Sequence, residues 1–172
     1  MPASLFLTGF TVTPDGPRKG FCVVTAGTYD GRQGVQLPAS PLQPIPFKRP
    51  RKQPWSHQYQ GDGLLIQHWS ETPDVFGYTI SITATSRKEA ALSITGKATS
   101  MAGSVASTVG AAPLGALLLA TDPLLQAIGQ TAGARVLGSL QGSEADASGT
   151  QSSWEISRTE SSVVFFVKYV VR

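Results

Sequence analysis

The sequence predicts a mainly β (α+β) chain, an antiparallel β-sandwich or jelly-roll-like fold with an Ala/Gly/Leu-rich helical insertion before the last two strands. Three observations lead there. Short stretches rich in β-branched and aromatic residues alternate with a period of two. Gly (18 residues) and Pro (12 residues), with abundant Ser and Thr, punctuate them as turns do. One stretch, Ala98–Thr121, holds no charged residue, which suits a covered segment better than a solvated one. At 172 residues the chain can bury one sizeable core, and we read 1–172 as a single domain. Hydrophobic residues make up 41% and charged residues 15%, which excludes a disordered polyelectrolyte.

The strands follow in order. Ser4–Thr13 alternates and ends at Thr13-Pro14-Asp15-Gly16-Pro17, a strong turn signal. Gly20–Thr28 reads as a second strand, and Asp30-Gly31 as a tight turn into a short third strand, Gly34–Leu37. Residues 38–54 then hold Pro38, Pro41, Pro44, Pro46, Pro50 and Pro54. Proline removes a ladder donor and disfavours helix before it, so we expect an extended, polyproline-like arm or loop. Gly63–Trp69 resumes the strand pattern. Phe76–Thr85 alternates most cleanly, with Tyr78, Ile80, Ile82 and Ala84 on one face and Thr79, Ser81, Thr83 and Thr85 on the other. That pattern predicts a half-buried strand with a hydroxyl-rich outer face.

Ala90–Ile94 suits another strand or the start of a helix. Residues 98–140 form a partly helical insertion, uncharged from Ala98 to Thr121. Its helix signals are Asp122 as an N-cap, Pro123 in the first turn and Gly138 as a C-terminal cap, with Leu125, Ile128, Ala132 and Val136 on one face. Leu114–Ala120 fits a short preceding helix. Gln141–Ser153 reads as a polar loop. Ser152–Arg158 and Ser162–Val171 close the chain as strands. The run Val163–Val171 is almost wholly apolar, so it needs cover on both faces and belongs at the centre of a sheet.

Catalytic signals are lacking. His57 and His68 match no metal spacing, and the acidic residues are dispersed with nothing selecting a pair. There is no nucleophile elbow and no phosphate-cradling glycine loop. The lone Cys22 sits in an apolar run and reads as a small buried hydrophobe. We therefore expect no enzyme activity, no cofactor and no metal. The start of the chain shows no signal-peptide pattern, so cytoplasmic synthesis is expected.

Interaction remains as the functional class. The net charge is +3, and much of the excess lies in one run, Lys48, Arg49, Arg51 and Lys52. A nucleic-acid binder usually has a broader basic face, so nucleic acid is the less favoured partner. We expect a non-enzymatic protein–protein interaction or structural module, a subunit of a larger assembly. Its contacts are expected from that run with Trp55, and from Leu114, Leu117, Leu118, Leu125 and Ile128 in the 98–140 insertion. The alternative is a membrane-active, toxin-like or defence effector whose 98–140 segment engages lipid. A carbohydrate site using Trp55, Trp69 or Trp154 is a weaker expectation that requires exposed tryptophans around a concavity.

Overall fold

A computed structural model describes residues 1–32, 34–36, 43–102, 126–127, 130–131, 133–144 and 149–172. Among these, ten strands and one helix follow one another: β1 (Ala3–Val12), β2 (Lys19–Asp30), β3 (Gly34–Gln36), β4 (Ile45–Lys48), β5 (Trp55–Gln58), β6 (Leu64–Trp69), β7 (Phe76–Thr85), α1 (Lys88–Ala102), β8 (Ala134–Ser143), β9 (Trp154–Glu160) and β10 (Val163–Val171). They make two antiparallel sheets packed together, a β-sandwich with a helix before the last strands. In the first sheet β1 lies between β10 and a broken edge, with β6 along its first half and β5 along its second, and β9 flanks β10. In the second sheet β2 and β7 are central, β3 and β4 share the outer edge of β2, and β8 flanks β7.

Period-two patterning fixes which side chains meet between the layers. Leu5, Leu7, Phe10, Phe165, Val167 and Tyr169 of the first sheet pack against Val24, Tyr78, Ile80, Ile82 and Leu140 of the second, all buried. One end of this core is aromatic: Trp69, Phe76, Tyr169 and Trp154 follow one another with ring centroids 5.1–5.4 Å apart. Such offset and edge contacts add to the area these rings bury. The Trp69 indole N–H is satisfied by the buried Asp30 carboxylate at 2.8 Å, whereas the Trp154 indole N–H is buried without a partner among the described residues.

The strand β7 is buried along its whole length rather than half-buried. Its hydroxyl face is the outward side of the second sheet, and α1 packs there by Ala91 and Ile94 against Val23, the cross-strand partner of Thr83. Ser81 and Ser139 hydrogen-bond across this face at 2.7 Å, while the Thr79 and Thr83 hydroxyls are buried without partners among the described residues. Ala90–Ile94, open between strand and helix in the sequence, is helix. Glu89 in its first turn suits the positive end of the helix dipole.

Two expectations are corrected. Residues 134–138 are strand, not the end of a helix capped at Gly138. The register of β8 on β7 slips between Ile82 and Thr83, and the extra residue is Leu137, turned into the core. That bulge brings Leu137 and Leu140 to the same side three residues apart, so the strand mimics helical spacing. Gly138 is needed for close approach: a Cβ there would meet the Glu160 carbonyl at the β9–β10 turn. The Leu137 carbonyl in turn accepts the Ser162 N–H at 2.9 Å, which ties this edge of one sheet to the other. Similarly, residues 38–54 are not wholly an arm, because β4 and part of the following turn are built into the sandwich. Leu114, Leu117, Leu118, Leu125 and Ile128 lie outside the described residues.

Candidate functional site

The basic run divides when β4 forms. Lys48, Arg51 and Lys52 are exposed. Arg49 is only 5% exposed and points inward. Its Nε donates to the Pro17 carbonyl at 2.9 Å, and its two terminal nitrogens donate to the carbonyls of Pro14, Gly16, Pro50 and Gln53. It is a clip between the β1–β2 turn and the β4–β5 turn, so its expected role as a partner contact gives way to an internal one. Trp55 is half-buried, with its ring 5.3 Å from Phe47 of β4 and 6.0 Å from Phe10 of β1. It closes the edge between the sheets there. Trp69 and Trp154 are 3% and 5% exposed, so neither offers a ring face for a sugar.

The fold enlarges the basic run. Lys19 of β2 pairs with Lys48 of β4, and the Arg49 N–H donates to the Arg18 carbonyl at 2.8 Å. Gly20, with φ 144°, passes so close to the Thr85 carbonyl that a Cβ would meet it. This close passage places the β7–α1 turn, with exposed Arg87 and Lys88, beside Arg18 and Lys19. Arg135, exposed at the start of β8, pairs with Ala84 at the same end of β7, and its charge acts on Asp15 in the β1–β2 turn. Eight exposed cations, Arg18, Lys19, Lys48, Arg51, Lys52, Arg87, Lys88 and Arg135, thus gather at one end of the sandwich. The described carboxylates there are Asp15, Glu89 and Glu160. Asp15 is engaged already: hydroxyls of Thr13 and Ser162 donate to it and hold its carboxyl below the usual range.

A second surface is the outward side of the first sheet. Phe6 of β1 lies opposite Leu65 of β6 and Lys168 of β10, while Val164, Phe166 and Val170 share the same side of β10. Leu65 is 50% exposed and the other apolar residues are half-buried. Lys168 in their midst reaches Asp62 at 3.4 Å and Glu155 at 3.8 Å, and Arg172 reaches Asp62 at 2.6 Å. So β10 is central, as its composition requires, with one face in the core and the other only partly covered.

Among the described residues, concave and reactive features are slight. Asp30, Arg32, Trp69, Ser70, Glu71 and Pro73 line a cleft of about 60 Å³. It has room for a handful of waters, well below the roughly 300–1,000 Å³ of small-molecule sites. Burial pushes the Cys22 thiol up to about 12, leaving almost no thiolate at neutral pH. His57 lies against Tyr59, with ring centroids 4.6 Å apart, and burial lowers its pKa. His68 shares a 2.8 Å hydrogen bond with Ser4. Among the described residues no group of three His, Cys, Asp or Glu side chains could hold a metal ion. Nor is any described helix long and apolar enough to cross a membrane. No protein family, curated protein or solved structure matches the chain.

Proposed function

We propose that the chain is a non-enzymatic interaction module that works as a subunit of a larger assembly, using the outward side of its first sheet. One observation carries the reading. The central strand β10 is apolar on both sides, yet Val164, Phe166 and Val170 on its outward side are only half-buried. A strand of this composition is stable and safe from aggregation when both sides are covered. Phe6 and Leu65 widen the apolar patch, and Lys168, Arg172, Asp62 and Glu155 place both signs of charge on it. A surface with both signs complements itself across a two-fold axis, so a second copy of the chain is the partner that fits.

Size-exclusion chromatography with light scattering over a concentration series tests this. The expected result is a concentration-dependent dimer or higher species. Leu65→Lys, at a half-exposed position that leaves the core intact, shifts it to monomer. A wild-type monomer at the highest concentration, unchanged by the substitution, overturns the proposal.

A further inference from the structure

We propose that the basic end of the sandwich is a contact face for the phosphate backbone of a nucleic acid. The observation is the convergence of Arg18, Lys19, Lys48, Arg51, Lys52, Arg87, Lys88 and Arg135 from three turns, the ends of three strands and the start of α1. Against three described carboxylates, this is a local excess of five positive charges, more than the whole chain's +3. None of the eight forms an ion pair among the described residues, whereas Arg32, Lys168 and Arg172, elsewhere on the molecule, do. Like charges held together cost self-repulsion, which a polyanion relieves by releasing its counterions.

The type of polyanion follows from what accompanies the cations. Protein interfaces are built on a buried apolar centre and are depleted in lysine. Here half of the eight cations are lysines. Trp55, the tryptophan that follows the basic run, is committed to Phe47 and Phe10. Membrane-surface binding adds exposed Trp, Phe or Leu to insert beneath the headgroups. Of the large exposed apolar residues among those described, Val136, next to Arg135, and Leu92, one helical turn from Lys88, adjoin the basic end, two isolated side chains rather than an inserting patch. A phosphate backbone needs neither feature and is bound through Lys and Arg with little apolar contact. Arg49 contributes indirectly, since it fixes the two turns that present Arg18, Lys19, Arg51 and Lys52.

Fluorescence anisotropy with labelled single- and double-stranded oligonucleotides of about 20 units tests the proposal, over about 50 to 200 mM salt. The wild-type chain is expected to bind both with little sequence preference. Log affinity should fall against log salt with a slope of about −3 or steeper on the duplex, from roughly 0.9 per phosphate contacted. Two variants probe different turns: Lys48→Glu with Arg51→Glu and Lys52→Glu, and Arg18→Glu with Lys19→Glu. Each should weaken binding tenfold or more and flatten the slope, with circular dichroism showing a folded chain. Arg32→Gln, away from the basic end, should leave both unchanged. Absence of salt-dependent binding by wild type overturns the proposal. So does indifference to both charge reversals. Tight binding to polyglutamate or to phosphatidylserine vesicles, with oligonucleotides left unbound, also overturns it and assigns the end to an acidic protein or a membrane. The result is independent of self-association, which is read on a separate face.

Discussion

Arg49 shows how much a single side chain decides in a molecule held together by turns. A guanidinium has five N–H donors in a rigid plane, and Arg49 directs them at five backbone carbonyls across two turns. Prolines supply three of those carbonyls, Pro14, Pro17 and Pro50. A proline segment has few N–H groups with which to bond its neighbours, so a side-chain donor must do it. Lysine keeps the charge but loses the fork. Arg49→Lys is therefore expected to destabilise the fold by about 3 kcal/mol, from lost charge-assisted bonds and a buried, poorly solvated ammonium. Arg51→Lys, on an exposed side chain next door, should change stability by less than about 0.5 kcal/mol. Urea unfolding measures both, and a cost below about 1 kcal/mol for Arg49→Lys would show that the clip is dispensable.

Among the elements, β8 depends most on one position. Its backbone passes the β9–β10 turn at Gly138, where a Cβ would press on the Glu160 carbonyl, a backbone atom that cannot swing aside. Gly138→Ala should therefore cost about 2–3 kcal/mol through backbone displacement, while Gly31→Ala, where a Cβ meets nothing within 4 Å, should be neutral or slightly stabilising. Thermal melts of the two variants side by side check this; equal melting temperatures would mean that β8 and the turn can separate freely. The same residue explains what could be read from the sequence and what could not. Strands β1 and β7 stand out in the sequence by their alternation, and β2, β6 and β10 by runs rich in apolar, β-branched and aromatic residues between turn signals. The bulge at Leu137 breaks the alternation of β8, and Gly138 then looks like a helix cap. Strand β4 is hidden by Pro46, which is tolerated because β4 is an edge strand. Strand β5 follows Pro54 directly and is only four residues long.

At the scale of the whole molecule, charge and burial are arranged by pairing rather than by sequence proximity. The run Lys48–Lys52 was legible as a basic patch, but its enlargement was not. Arg18 and Lys19, Arg87 and Lys88, and Arg135 come from distant parts of the chain, and only the registers of β2 on β4, of β2 on β7 and of β7 on β8 bring them together. The inward turn of Arg49 was equally hidden, since nothing in a run of exposed cations marks the one that will be buried.

The distribution of titratable groups also fixes how the fold responds to acid. His57 is shifted downward by burial, Asp15 by its hydrogen bonds from Thr13 and Ser162, and Asp62 by its bonds from Arg172 and Lys168. All three hold protons less tightly folded than unfolded, so the unfolded chain binds more protons as pH falls, and each contribution to stability is lost on acidification. His57 acts first, below its ordinary value of 6.5, and the two carboxylates act below their ordinary value of 3.8. Stability by urea unfolding should be flat from pH 7 to about pH 8, decline slightly through the histidine window on acidification, and decline again under pH 4. His57→Gln should remove the upper step, and Asp62→Asn should make the lower one shallower. A wild-type chain that gains stability between pH 7 and pH 5 would contradict the inward packing of His57 against Tyr59 and Phe10.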